Sequence, residues 1–213
     1  MDQLTDRPVD EAQTRIQAKN REAILVAARE VFARHGLRGA TLDEIAATAG
    51  MSKPNMLYYF RRKTDLYKAV LEEVMADWLS PLDALDPNGD PIEELRRYIT
   101  AKMALSFKHP QASRLFAGEI LAGAPHIDRY LSTDLKAIVE RKAKTIATWV
   151  SEGRLAPIEP YHLIFAIWAV TQHYADFDVQ IGAILGRQTK QPGFEDQAAQ
   201  AVLTLLLRGA APR

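Results

Sequence analysis

Residues 36–67 read GLRGATLDEIAATAGMSKPNMLYYFRRKTDLY, and the fold turns on how this stretch is punctuated. Thr41 followed three residues later by Glu44 is a capping box, in which each side chain satisfies an orphan backbone N–H at a helix start. A helix is therefore expected from about Leu42, with Leu42, Ile45, Ala46 and Ala49 at i, i+3, i+4 and i+7 on one inward stripe. Gly50 ends it, because glycine enters the left-handed conformation without a steric penalty. Ser52 is a good N-cap for a second helix, and Pro54 falls in that helix's first turn, where its missing N–H costs little. Along the second helix Leu57 and Phe60 are expected to point inward, leaving Lys53, Asn55, Tyr58 and Tyr59 outside. Two short helices joined by a turn of about three residues form a helix-turn-helix, here over about 40–60, whose second helix is shaped to enter the major groove of DNA. The outward residue types suit that role: a cation and two phenols for phosphates, and an amide for a base edge.

The flanks supply a platform. From Arg15 to His35 the apolar residues Ile24, Ala27, Ala28, Val31 and Phe32 keep helical spacing, and Gly36 closes that helix. A further helix opens at Thr64, after the basic cluster Arg61, Arg62 and Lys63, whose charges suit a passing duplex backbone. The formal net charge of the 213-residue chain is zero, but the charge is segregated. Residues 15–68 hold 11 Lys and Arg against 5 Asp and Glu, a net of +6, while residues 1–14 and 69–213 each carry −3. A basic module on an acidic body has the footprint of a protein that meets phosphates on one face.

The run TLDEIAATAGMSKPNMLYYFRRKTDLY resembles the DNA-binding domain of the TetR family of bacterial transcriptional regulators, with a threonine-capped helix, a glycine turn and a short helix ending in Tyr-x-Phe. The resemblance covers about residues 17–77. It implies phosphate-facing roles for Thr41, Ser52, Lys53, Tyr58, Tyr59 and Lys63, and base-edge contacts from Asn55 and its neighbours. Pro54 stands where many members carry glycine or another small residue. The segments HPQASRLFAGEILAGAP (109–125), LAPIEPYHLIFAIWAVTQHYADF (155–177) and the terminal LLLRGAAPR resemble the regulatory domain of the family's pyrimidine-responsive members. That resemblance implies a regulator, most often a repressor, whose grip on DNA is weakened by uracil or thymine.

The remainder reads as helical, since no segment keeps period-2 alternation between hairpin turns. Helices are expected over about 64–84, 91–108, 110–122, 127–152, 160–186 and 194–208, making nine in an all-α chain. The domain organisation expected is a loose tail over 1–14, a DNA-binding domain over 15–77 and a ligand-binding and dimerisation domain over 78–213. Helix 160–186 is apolar on every side through its middle, so covering it calls for a second subunit. With the terminal VLTLLL helix it would form a four-helix bundle in a two-fold homodimer addressing two half-sites of double-stranded DNA.

Polar residues on apolar helices mark the expected small-molecule site, because a buried polar group needs a partner. Trp168, Gln172 and Asp176 share a stripe, and Trp78, Arg114, Glu119, His173 and Tyr174 lie on helices expected to surround it. Gln172 matches a donor–acceptor pair on a pyrimidine, and Trp168 or Trp78 matches its flat face. Ordinary readings stay open: core packing for the tryptophans, an interface hydrogen bond for Gln172, a paired surface for Arg114 and Glu119, and a drug or acyl compound as the effector. His173 and Asp176 have metal-ligand types but no third ligand at suitable spacing, so no metal or cofactor is expected. An enzyme using His173, Asp176 or Glu119 lacks a nucleophile elbow, a phosphate loop or a two-histidine metal helix in its support.

Composition agrees. A chain 25% charged and 47% hydrophobic can bury a good core. It has no cysteine, which fits a reducing cytoplasm. Its longest apolar run, Leu163 to Val170, is eight residues, far short of the roughly 20 that span a bilayer. The polar, acidic N-terminus is unlike a signal peptide.

Overall fold

The computed structural model describes residues 11–212, and every regular element among them is helical. The helices are α1 (Glu11–Gly39), α2 (Leu42–Thr48), α3 (Lys53–Tyr59), α4 (Lys63–Asp83), α5 (Pro91–Lys108), α6 (Pro110–Leu121), α7 (Asp128–Tyr130), α8 (Lys136–Ser151), α9 (Pro160–Asp176), α10 (Asp178–Leu185) and α11 (Phe194–Ala210). A π turn, Leu131–Leu135, joins α7 to α8. Counted as one rod, these leave ten helices among the described residues, one more than the nine expected. The extra one comes from a break within 160–186. The expected tail over 1–14 lies outside the described residues as far as residue 10, and residues 11–14 already belong to α1.

Two compact units divide the chain, Met1–Val70 and Leu71–Arg213, so the division falls ahead of the expected 77/78 boundary. In the first, Ile24, Ala28, Val31 and Phe32 of α1 are buried together with Ile45 and Ala46 of α2, and the Phe32 ring meets Tyr67 edge to face at 5.1 Å. Gly36 breaks α1 at φ 65°, ψ 177°, a conformation that side-chain-bearing residues avoid. At the far end of α2 the Gly50 N–H donates to Ala47 O and the Met51 N–H to Ala46 O, both at 3.0 Å. This is the Schellman arrangement, and with Gly50 at φ 69° it turns the chain into α3. The inward residue of α3 is Met56, fully buried, with Phe60 beside it; Leu57, expected inside, is only half-buried.

The second unit gathers around α9, which packs against α5, α6 and α8. Its core holds Tyr98, Ile99 and Met103 of α5, Ile146 and Trp149 of α8, and Ile164 and Ile167 of α9. Asp90 caps α5 by accepting from the Glu93 N–H at 3.0 Å, so α5 begins at Pro91 as the sequence suggested. The buried Trp149 donates its indole N–H to Pro87 O at 2.9 Å, and Lys142 Nζ donates to Leu85 O at 3.1 Å; both pin the α4–α5 connection.

The helix expected over 160–186 stops at Asp176 without a glycine or proline. Arg114 of α6 donates from Nη1 to Ala175 O at 3.2 Å and pairs with Asp178 Oδ2 at 2.7 Å. A guanidinium from another helix thus takes a carbonyl of the last turn and holds the first residue of α10, which satisfies the helix end by a long-range contact.

Met56 and Leu57 give a direct check. Met56→Ala is expected to destabilise the first unit by about 2–5 kcal/mol, the usual cost of emptying a core site, whereas half-buried Leu57→Ala costs clearly less. Denaturant melts of the two variants read the difference.

Candidate nucleic-acid interface and ligand cavity

The helix-turn-helix forms from its own short-range hydrogen bonds. Thr41 Oγ1 accepts from the Glu44 N–H at 3.1 Å, and Ser52 Oγ accepts from the Asn55 N–H at 3.4 Å. Thr41 thereby makes its half of the expected capping box. The Glu44 carboxylate lies 3.1 Å from His35 Nε2, toward the end of α1. Ser52, Lys53, Pro54 and Asn55 all lie exposed at the start of α3. Tyr58 is 72% exposed and meets Tyr59 edge to face at 5.2 Å. Tyr59 is held in place, since its hydroxyl accepts from Asn20 Nδ2 of α1 at 3.1 Å.

The two lysines of this surface have protein partners that the sequence did not announce. Lys53 Nζ donates to Asp43 Oδ2 at 2.9 Å, and both side chains are well exposed. An exposed pair of this kind contributes about 0–1 kcal/mol, so a phosphate can replace the carboxylate at little cost. Lys63 Nζ donates to Ala40 O at 2.7 Å and to Arg38 O at 3.4 Å. It closes the α1–α2 connection and still has a third N–H, because an ammonium carries three. Arg61 and Arg62 stand exposed just before it.

In the second unit a small cavity is lined by Val74, Met75, Trp78 and Leu79 of α4, Lys102 of α5, Phe116 of α6, Leu135 of the π turn, and Trp168 and Gln172 of α9. Three of the eight residues expected at or around a ligand site, Trp78, Trp168 and Gln172, therefore converge. The other five do not line this cavity. Arg114 is occupied with Ala175 and Asp178. His173 is exposed and stacks on Phe177 at 4.9 Å. Tyr174 joins an aromatic cluster with Phe107 and Phe194. Asp176 accepts from the Ser113 hydroxyl. A 3.6-residue repeat drifts over two turns, so sharing a stripe with Trp168 did not place Asp176 at the same opening. Glu119 accepts from the His126 N–H at 2.7 Å, so the three groups of the enzymatic alternative have different partners. Among the described residues no three His, Cys, Asp or Glu side chains gather in a metal-holding group.

Lys102 is the residue that the sequence reading missed. It lies on the buried stripe Leu95, Tyr98, Ile99, Lys102, Met103 and Ser106 of α5, and a lysine on an apolar stripe was the available signal. Its Nζ sits 4.0 Å above the Trp78 ring, a cation–π contact. Burial pulls its amine down to about 7, and the Asp176 carboxylate works against that shift. Burial also raises Asp176, against the opposing hydrogen bond from Ser113 and the charges of Arg114, Lys102 and His173. Trp168 donates its indole N–H to the Tyr98 hydroxyl at 2.6 Å, and burial pushes Tyr98 upward, so that phenol stays neutral.

Known proteins resemble most of the chain. Residues 24–70 match the family described as Bacterial regulatory proteins, tetR family, and residues 71–213 match the family described as YcdC-like protein, C-terminal region. The HTH-type transcriptional regulator RutR of Escherichia coli strain K12 is 44% identical over 200 residues, 94% of each chain. The crystal structure of SCO4942 from Streptomyces coelicolor superposes with a TM-score of 0.74 at 27% identity, covering 91% of this chain and 99% of that one. The structure of AibR in complex with isovaleryl coenzyme A and operator DNA shares the fold, with a TM-score of 0.66 at 17% identity over 88% of this chain and 98% of that one. Among the described residues no helix is long and apolar enough to cross a membrane. The relatives that span this chain are transcription regulators, and the chain belongs to the TetR family of DNA-binding transcriptional regulators.

Proposed function

We propose that the protein is a homodimeric repressor that grips a near-palindromic operator and lets go when uracil or thymine fills the cavity of its second unit. The observation that carries the ligand half is the convergence of two tryptophans, one carboxamide and one amine on a cavity whose other walls are apolar. A pyrimidine base offers a flat face for the indoles and a donor–acceptor edge for Gln172. The choice of pyrimidine follows the resemblance of residues 109–125 and 155–177 to the pyrimidine-responsive branch, and 44% identity with RutR supports it. AibR, of the same fold, holds an acyl coenzyme A and operator DNA together, which keeps acyl compounds in the comparison panel.

Dimerisation is supported by apolar side chains left exposed on two helices. Phe165 of α9 is 48% exposed and Leu205 of α11 is 73% exposed, on the helices expected to build a four-helix bundle with a twin. Coupling is supported by α4. That one helix carries Lys63 at its start and Val74, Met75, Trp78 and Leu79 on the cavity wall. A ligand that moves this wall acts on a helix whose first turn belongs to the DNA-binding unit. A coupling of about 1–3 kcal/mol, typical of allosteric pairs, gives roughly 5–150-fold release.

Gel shifts on the promoter of the adjacent operon, with and without uracil, test the reading as a whole; retention of every complex by uracil and by an acyl panel overturns it. Asn55→Ala is expected to erase discrimination at one base pair, a loss of about 1–3 kcal/mol against the wrong base. Lys63→Ala should weaken all sequences alike and flatten the salt slope by about one unit. Trp168→Ala and Gln172→Ala should abolish uracil-induced release while sparing operator affinity, as measured by fluorescence anisotropy. Replacing Phe165 and Leu205 together by aspartate is expected to yield monomers in sedimentation runs and to cost operator binding, since one reading head then meets one half-site.

A further inference from the structure

We propose that Lys102 is the specificity-determining residue of the cavity, donating from Nζ to an exocyclic oxygen of a neutral cyclic imide whose adjacent N–H and C=O edge pairs with Gln172. The inference rests on the reading of this cavity as the effector site. It deepens that reading by naming the chemical class recognised, a ring carrying the –CO–NH–CO– unit, and the group that selects it.

Burial and hydrogen bonding carry the argument. Lysine stems ordinarily lie along apolar surface and let the ammonium reach water. Lys102 is only 3% exposed and its Nζ ends over the Trp78 ring inside the cavity. No hydrogen-bond acceptor for that Nζ is found among the described residues. The other buried lysine behaves in the opposite way: Lys142 donates to Leu85 O at 3.1 Å and lies 3.7 Å from Asp83. An amine that opens onto a mostly apolar cavity with no acceptor from the wall is available to one that a ligand brings. The Trp168 N–H is already spent on Tyr98, so the wall offers a ligand the Lys102 amine and the Gln172 amide, and otherwise aliphatic or aromatic surface. Two separated polar groups on an apolar surround match a flat ring with oxygens on two edges.

Charge in the surroundings fixes the sign of the pH dependence. Asp176 of α9 is the carboxylate that acts on Lys102. It accepts from Ser113 of α6, with Arg114 and His173 also acting on it, and the α4 wall contributes the neutral Trp78. With the Lys102 amine lowered to about 7 by burial, the free protein holds a part-protonated amine near neutral pH. A ligand oxygen favours the ammonium and raises its pKa in the complex. Affinity is then full below about pH 7 and falls as the pH rises from there, and binding in that upper range takes up a proton.

Calorimetry of uracil on the full-length protein between pH 6 and pH 8.5, in two buffers of different ionisation heat, tests this. The wild type is expected to show proton uptake above neutrality and affinity falling by up to about tenfold per pH unit there. Lys102→Met should weaken uracil by about tenfold or more at pH 6.5 and flatten the profile, and Lys102→Gln, which keeps a donor but no charge, should retain part of the affinity with the same flat profile. Loss of packing against Trp78 alone would weaken binding without removing proton uptake from the wild type. Wild-type binding that is insensitive to pH and to buffer, or a Lys102→Met protein within about twofold of wild type, overturns the role of Lys102 and leaves the cavity reading standing. A wild type that gives no uracil binding at pH 6.5 overturns both.

Discussion

Helices of seven residues are too short to persist in water by themselves, and the DNA-binding unit contains two of them. Everything at the nucleic-acid surface depends on how that weakness is overcome. Side-chain caps from Thr41 and Ser52 satisfy backbone donors at the two starts, and the Schellman turn at Gly50 satisfies acceptors between them. Burial of Ile45, Ala46, Met56 and Phe60 with the buried face of α1 then supplies the apolar gain that the helices cannot generate alone. The outward residues of α3 consequently owe their placement to inward ones. Asn20 extends the same logic to the surface by holding the Tyr59 hydroxyl.

Electrostatics in this unit is arranged for exchange. Lys53 and Lys63 are occupied by a carboxylate and by backbone carbonyls, within a stretch, residues 15–68, of net charge +6. Because the Lys53 pair is exposed, its contribution is small, and a phosphate can compete for the same ammonium. Lys63 differs: its carbonyl partners tie the α1–α2 connection to the first turn of α4, so a phosphate there would meet a cation already held in position.

The second unit places polar groups deep in a helical core and satisfies them one by one. Glu94 accepts from the Asp86 N–H, Ser113 donates to Asp176, Thr171 donates to Ile167 O, and Lys142 reaches Leu85 O. Lys102, stabilised over an aromatic face, stands apart from that pattern, and it does so at a cavity. Satisfied groups fix the shape of a bundle, whereas Lys102 has a ring and the charge of a carboxylate for company.

What the sequence determined by itself is what short-range chemistry determines. Thr41, Gly50 and Ser52 announce helix starts and turns because a cap or a positive φ involves residues three to five apart, and the starts of α5, α6, α9 and α11 fell where proline and glycine breaks put them. The basic stretch and the family resemblance were equally plain; Trp78, Trp168 and Gln172 were legible only as three candidates among eight, with core packing and an interface hydrogen bond left open for them. Tertiary structure alone decided which face of α3 is buried, because Met56 and Leu57 are one residue apart on a helix whose rotation is set by α1 and α2. It also decided that 160–186 breaks at Phe177, through an arginine more than sixty residues away in sequence. Which polar residues of α5, α6 and α9 meet at one cavity was settled the same way: periodicity gives the direction of a side chain from its own axis, and only the packing of several axes says what lies opposite.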